Sequence, residues 1–242
     1  MNERRLPVLS VYLVEDDPLV AQHVREVIKA SGSLRCVGHA PRLAVAREEL
    51  PRLRPDVLLS DLGLPDGDGT ELIGELSHAP AIEGVWHPHI LVFSVFGDEA
   101  RVINAIAAGA DGYFLKGCSG DELVRAVEQA ARGESPISPT IARHLLKRFR
   151  DEGVTEDNLV DADADDSTLA GEFEPPSRSA VTRREHQVLK LVAQGYVAEE
   201  IAERLLTTPR LVATDVRNVY RKLQWLQRSR TVEQATRRPG WA

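Results

Sequence analysis

Residues 55–69 read PDVLLSDLGLPDGDG. Val57–Ser60 has no polar alternation, the pattern of a strand buried on both faces. Asp61 follows at once, and Pro65, Gly67 and Gly69 interrupt the chain before a helical spacing begins at Thr70. A buried strand that ends on a carboxylate and passes through a tight loop into a helix is one βα unit. Four further strands have the same character: Val8–Val14, Arg35–Gly38, Ile90–Ser94 and Tyr113–Leu115. Leu19–Ala30, Leu43–Leu50, Thr70–Leu76, Asp98–Ala108 and Ser119–Ala131 place apolar residues three and four apart, the helical period. Five βα repeats predict a parallel sheet, doubly wound, with helices on both faces. Ligands of such sheets sit beyond the carboxyl ends of the strands.

Acidic residues gather there. Glu15, Asp16 and Asp17 follow the first strand and Asp61 the third, while Ser94 ends the fourth and Lys116 the fifth. Carboxylates brought together repel, and a hard divalent cation relieves the repulsion by taking oxygen ligands; Mg2+ is the natural candidate. A carboxylate beside that cation, faced by an ammonium and a hydroxyl, has the parts needed to accept a phosphoryl group in line. Taken singly, these residues have ordinary explanations as helix caps, a solvated lysine and a strand-ending hydroxyl. Their joint occurrence at four strand ends carries the inference.

The chain of 242 residues has a net charge of −7 and 43% apolar residues, enough to build a core. No apolar run is long enough to span a membrane, and the N-terminal apolar stretch meets Glu15, Asp16 and Asp17 too soon for a secretory signal. A cytoplasmic protein is expected. Cys36 and Cys118 lack metal or disulfide spacing and read as two reduced thiols. The net charge argues against a nucleic-acid partner until it is divided along the chain. Residues 1–150 carry −4, residues 151–177 carry −10 and residues 178–242 carry +7. The middle segment, acidic, poor in large apolar groups and closed by Pro175 and Pro176, reads as a flexible linker and domain boundary. The expected role is a simple tether, with shielding of the basic face, stronger at low salt, as the alternative.

Before the linker, Pro139–Phe149 predicts a short helix with Ile141, Leu145, Leu146 and Phe149 on one side, docked on either domain. Before the fourth strand, His78, His87 and His89 invite a zinc reading, but the spacing is not helical and no acidic or cysteine partner is near. Trp86 in the same loop reads as packing against the domain, with a contact surface as the alternative.

After the linker, Thr182 and Glu185 form a capping-box pattern ahead of a helix that Gly195 can end. A second helix is expected from Ala198 to Leu206. Thr208 as N-cap and Pro209 at the first position begin a third. On that third helix Val212, Val216, Val219 and Leu223 form the buried stripe, leaving Arg210, Ala213, Thr214, Arg217 and Arg221 on an outer face. Two short helices with a tight turn, the second presenting arginines, suit a helix-turn-helix that enters the major groove.

The strings YLVEDDPLV, PDVLLSDLGLPDGDG, ILVFSVFGDE and AGADGYFLKG resemble those of receiver domains of two-component response regulators, over about residues 6–135. The resemblance implies a flavodoxin-like receiver in which Asp61 is the phosphoacceptor. Glu15 and Asp16 would then be the acidic pair, with Asp61 and the Gly63 carbonyl completing the protein ligands to Mg2+. Asp17, before the proline, falls outside that set. Ser94 would be the switch hydroxyl, Lys116 the phosphate-binding lysine and Tyr113 the aromatic that repacks when Ser94 moves; without the resemblance Tyr113 reads as a half-buried strand tyrosine. Glu15 replaces the commoner aspartate, and Gly117 stands where many receivers have proline. Residues 178–235 resemble the LuxR-type helix-turn-helix of the NarL/FixJ subfamily, at Thr182, Arg184, Glu185, VAQG, Glu200–Ala202, Val212, Val216, Asn218 and the run Arg221, Lys222, Leu223.

Four departures fall in this part. Leu206 replaces a turn glycine, Ala213 a basic residue and Asp215 a common histidine; LQWLQRSRTVEQ is one or two residues longer than usual between a third and a fourth helix, with Trp225 in it. Asp215 would repel phosphates or accept from a cytosine amino group.

The expected organisation is a receiver (1–135), a connecting helix (136–150), an acidic linker (151–177) and a small all-α DNA-binding domain (178–242). The expected function is transcriptional regulation through DNA, gated by phosphorylation of Asp61 from a sensor histidine kinase, with a homodimer as the active form and no activity as a conventional enzyme. Arg210, Ala213, Thr214, Arg217, Arg221 and Lys222 are the expected DNA-facing residues. The alternative is a helical domain that has become a protein-interaction module.

Overall fold

A computed structural model of the chain describes residues 8–77, 86–95, 97–154, 158–160 and 180–236. The first unit contains β1 (Leu9–Val14), α1 (Pro18–Ser31), β2 (Leu34–Ala40), α2 (Leu43–Leu53) and β3 (Val57–Ser60). A two-residue ribbon, β4 (Gly63–Leu64) and β5 (Gly67–Asp68), precedes α3 (Gly69–Ser77). There follow β6 (His89–Ser94), α4 (Glu99–Ala108), β7 (Gly112–Leu115) and α5 (Gly120–Ala131). The five long strands form one parallel sheet in the order β2-β1-β3-β6-β7. Because the chain starts in β1 and winds outward in both directions, the order reverses between β1 and β3. Their carboxyl ends diverge there to leave a crevice.

β3 is buried at every position, as its uninterrupted apolar run predicts. On one face, Val11, Leu13, Val57, Leu59, Leu91 and Phe93 pack against Ala21, Val24 and Ile28 of α1 and Leu123, Ala126 and Val127 of α5. The caps are local. Asp17 accepts from the backbone N–H groups of Leu19 (2.8 Å) and Val20 (3.2 Å) with Pro18 at the first helical position, so its carboxylate is committed to α1. Ser119 and Glu122 form a reciprocal capping box on α5. Asp66 of the β3–α3 connection accepts from the N–H groups of Leu43 (2.9 Å) and Ala44 (3.0 Å), tying that loop to the start of α2.

The chain forms two compact units, the first made of the residues to Asp98 and Ala108–Pro136, the second of Glu99–Ala107 and the residues from Ile137 onward. α6 (Pro139–Asp151) buries Ile141, Ala142, Leu145 and Phe149 and packs on α7 (Arg183–Ala193) within the second unit, while Lys147 pairs with Glu99 of α4. Parts of the acidic segment are also ordered. Asp151 closes α6, Leu159 is buried, and Val160 bridges to Thr182 in parallel fashion, its carbonyl accepting from Arg183 N–H at 2.9 Å. Leu159 and the half-buried Val160 are apolar residues of a largely acidic stretch. The rest of the expected linker, residues 155–157 and 161–177, lies outside the described residues, and so does the shielding ascribed to it.

Thr182 caps α7 through the predicted capping box. α8 (Ala198–Arg204) is shorter than expected, and α9 (Pro209–Thr236) is one helix of 28 residues, about 42 Å long. The expected break before a fourth helix does not occur, since Arg210–Thr236 contains neither glycine nor proline to impose one.

α7 and α8 end in the same way with different residues. After α7, Gly195 takes φ +99°, its N–H bonds Val192 O and Tyr196 N–H bonds Leu191 O. After α8, Leu206 takes φ +49°, with Leu206 N–H on Glu203 O and Thr207 N–H on Ala202 O. Both closures satisfy the last carbonyls through a residue in the left-handed region. There a Cβ costs roughly 1–2 kcal/mol, and Leu206, 95% exposed, recovers none of this by packing. Leu206→Gly, after the extra freedom of glycine in the unfolded chain is deducted, should raise the unfolding free energy of this domain by about 0.5–1 kcal/mol, read from urea unfolding with unchanged slope.

Candidate functional site

Three backbone bonds set the floor of the crevice. Asp61 N–H donates to Val14 O at 2.9 Å, Glu15 N–H to Ala40 O at 2.9 Å, and Lys116 N–H to Ser94 O at 2.8 Å. Each is the continuation of a strand pairing, so sheet register fixes where the side chains emerge. Gly69 lets the loop fold back: a Cβ there would stand 2.3 Å from the Asp61 carbonyl oxygen. His39 Nε2 lies 2.9 Å from the Glu15 carbonyl oxygen and braces the first acidic residue from the end of β2. Nothing in its sequence position singled it out.

Glu15 is fully buried and Asp61 is 4% exposed, while Asp16 faces solvent. One carboxylate oxygen from each lies within 4.8 Å of the others. Lys116 Nζ spans the buried pair, 2.7 Å from Glu15 Oε2, 2.8 Å from Glu15 Oε1 and 2.7 Å from Asp61 Oδ2. Asp61 Oδ1 accepts from Leu62 N–H at 2.6 Å. Burial pushes the Glu15 carboxyl above its ordinary value, helped by the Asp61 charge and opposed by the Lys116 bond. Burial alone would pull Lys116 down, yet its bonds to Asp61 and Glu15 outweigh that and hold the ammonium above its ordinary value. Three carboxylates against one ammonium leave the cluster net negative.

That donor set fits a hard divalent cation: all oxygen, close enough to share one ion, and open to water on the Asp16 side. Gly63 is exposed in the β4–β5 ribbon directly beyond Asp61. Ser94 is fully buried at the end of β6, and β7 pairs with β6 through Val92 opposite Tyr113 and Ser94 opposite Leu115. Tyr113 is 0% exposed, more deeply buried than its reading as a half-buried strand residue implies.

The second candidate surface lies on α9. Arg210, Thr214 and Arg221 are exposed, and Ala213 and Arg217 partly so. Two residues are placed otherwise than the sequence reading expects. Asp215 does not face outward. Its Oδ2 accepts from Arg184 Nε of α7 at 2.8 Å, and Arg184 also donates to Thr207 Oγ1 at 2.7 Å. Burial raises the Asp215 carboxyl above its ordinary value while the Arg184 bond restrains the rise. Lys222 donates to buried Glu185 Oε2 at 2.6 Å, with its side chain 13% exposed, so its ammonium is spent within the domain and not on the outer face. A signal for both was present: Asp215 and Lys222 are seven apart on one helical flank, and Arg184 and Glu185 offer the complementary charges. Of the loop before β6, His78 lies outside the described residues; Trp86 Nε1 donates to Pro55 O at 2.8 Å, which accounts for it as packing. Among the described residues, the only cluster able to hold a metal is Glu15, Asp16 and Asp61.

Comparison with known proteins matches residues 11–128 to the response regulator receiver domain and residues 179–235 to the luxR family of bacterial regulatory proteins. The nitrate/nitrite response regulator protein NarL of Escherichia coli K12 is 30% identical over 215 residues, 89% of each chain. The transcriptional regulatory protein DegU of Brevibacillus brevis is 28% identical across all of this chain and 97% of its own. Among solved structures, a LuxR-family two-component response regulator from Aurantimonas sp. SI85-9A1 is similar with a TM-score of 0.53 and 27% identity, over 59% of this chain and 99% of the other. RcsB of Salmonella enterica serovar Typhimurium, bound to a promoter, shares the fold with a TM-score of 0.52 at 21% identity, over 90% of this chain and 92% of the other.

A cation held by the acidic cluster would bind the folded chain and stabilise it by mass action. Titration with Mg2+ to about 100 times its Kd should raise the unfolding free energy by about 2.7 kcal/mol. Glu15→Gln should shift that titration to higher concentration, as read from thermal unfolding.

Proposed function

We infer the function from one premise: the chain belongs to the response regulators of the NarL/FixJ subfamily, a receiver domain followed by a LuxR-type helix-turn-helix domain. It is a DNA-binding transcriptional regulator of a two-component system. The residue we assign as phosphoacceptor is Asp61, and the observation that carries the assignment is the Lys116 bridge. Asp61 follows β3 beside the same topological reversal that Glu15 and Asp16 flank at the end of β1, and among the three the family resemblance gives it the acceptor role. It has one oxygen fixed by Leu62 N–H and the other against an ammonium.

A sensor histidine kinase is the proposed donor. The bond from phosphorus to the donor breaks as the bond to an Asp61 oxygen forms, in line. Mg2+, held by Glu15, Asp16, Asp61 and the Gly63 carbonyl, would offset the negative charge of the cluster and of the transferring oxygens. Lys116 already touches Asp61 and stands where it can pair with a phosphoryl oxygen. Ser94 donates a hydrogen bond to the product phosphate, and Tyr113 repacks as Ser94 moves. The catalysis is confined to phosphoryl transfer onto Asp61 and its hydrolytic loss.

Phosphorylation then favours a homodimer whose two recognition helices meet two half-sites of double-stranded DNA. Arg210, Thr214, Arg217 and Arg221, with Ala213 beside them, form the face of α9 available for this, and Lys222 supports the helix from behind. The charge objection to DNA binding weakens with Asp215 paired to Arg184, and the family supports promoter recognition over a protein-interaction role. No helix among the described residues is long and apolar enough to cross a membrane, and the proposed site of action is the cytoplasm, where the DNA lies.

A small-molecule phosphodonor with Mg2+ should add one phosphoryl mass to the wild-type chain and none to Asp61→Asn. Undiminished labelling of that variant would contradict the assignment.

A further inference from the structure

The first turns of α9 carry an apolar side chain on the side turned away from the core. The buried stripe is Val212, Val216, Val219, Tyr220 and Leu223, none more than 3% exposed. At the helical rotation per residue, the opposite side carries Arg210, Leu211, Thr214, Arg217 and Arg221. Leu211 is 48% exposed there. Its backbone is well placed: Leu211 N–H lies 3.0 Å from Thr208 O and 3.3 Å from Thr208 Oγ1, within the capped first turn. Thr214 donates its hydroxyl proton to Arg210 O at 3.0 Å, so outward it offers a methyl group and an acceptor but no donor. Asp215 is turned to Arg184. Beside the arginines, this surface carries the Leu211 side chain and the Thr214 methyl group.

We propose that Leu211, with the Thr214 methyl group beside it, is a specificity-determining residue that reads the C5-methyl group of thymine in the major groove, while Arg210, Arg217 and Arg221 hold the flanking backbone. This rests on the reading of the chain as a DNA-binding regulator and adds to it what the protein discriminates. The N-terminal residues of a recognition helix are those that reach base edges. Of the four bases, thymine alone presents a methyl group in the major groove. Contact between that methyl and a half-exposed leucine removes apolar surface from water on both sides. A base presenting an amino group in the same place would lose water and find no partner in Leu211, a penalty that turns the contact into discrimination.

The test uses the full-length protein, phosphorylated with a small-molecule phosphodonor, and a duplex that it selects from a randomised pool. Thymines in each half-site are replaced one at a time by deoxyuridine, which removes only the methyl group, and affinity is read by fluorescence anisotropy. The wild type should lose about fourfold at one thymine per half-site, the worth of one buried methyl-sized group. Leu211→Ala should bind the thymine and deoxyuridine duplexes alike, with an unchanged salt slope, because no phosphate contact is lost. Arg210→Ala should weaken both duplexes, lower the slope by about one and keep the preference. Wild-type indifference to deoxyuridine at every thymine overturns the inference, as does a preference that persists in Leu211→Ala. Absence of binding to any duplex at low salt overturns the DNA-binding reading itself and this inference with it, an outcome distinct from binding that ignores the methyl group.

Discussion

One ammonium holds the receiver crevice together. Lys116 Nζ sits 2.7 Å from both Glu15 and Asp61, joining side chains from the ends of three strands that the sheet order brings side by side or nearly so. Without it, two buried carboxylates would face each other in a medium where unpaired charge is costly. With it, the ammonium opposes the rise that burial forces on the Glu15 carboxyl, and the third carboxylate, Asp16, remains on the solvent side. The arrangement is therefore short of positive charge and open on one side, which suits a divalent cation and then a phosphoryl group. Asp17 is kept out of this chemistry by its duty as the cap of α1.

The helical domain solves a related problem in the same currency. Arg184 and Glu185, adjacent on α7, reach Asp215 and Lys222 of α9 with opposite charges. These crossed pairs fix the rotation of α9 about its axis, so the outer face is defined by what the inner flanks have already claimed. A helix of like composition without Arg184 would present Asp215 to phosphates and lose affinity at every sequence. Leu206 shows the opposite economy: the turn keeps the left-handed conformation of its glycine counterpart after α7 even though the residue pays for its Cβ there.

The sheet and its site were legible because buried parallel strands have a plain signature and because each candidate residue follows one directly. Val57–Ser60 is observed with the bounds read from its apolar run, and the other strands differ by a residue or two at their ends. Capping chemistry made Thr182 and Thr208 equally readable. What escaped reading were contacts between elements. Periodicity gives the angle of Asp215 or Lys222 on α9 but not which neighbour stands at that angle. Composition marked residues 151–177 as too polar to order, and it could not weigh Leu159 and Val160, whose docking depends on Thr182 being within reach. The continuity of α9 was missed for a third reason, a family spacing being given more weight than the absence of any breaker in the sequence itself.

The central claim is that chemistry at Asp61 governs DNA binding through the helical domain, and a coupling free energy expresses it. The most direct measurement is the affinity of the full-length wild-type protein for its selected duplex, at one fixed salt concentration, before and after phosphorylation, with Asp61→Asn carried through the same treatment. The account predicts at least a roughly fivefold gain for the wild type, the lower end of ordinary allosteric coupling, and none for the variant. Equal affinity of the phosphorylated and unphosphorylated wild type would contradict it.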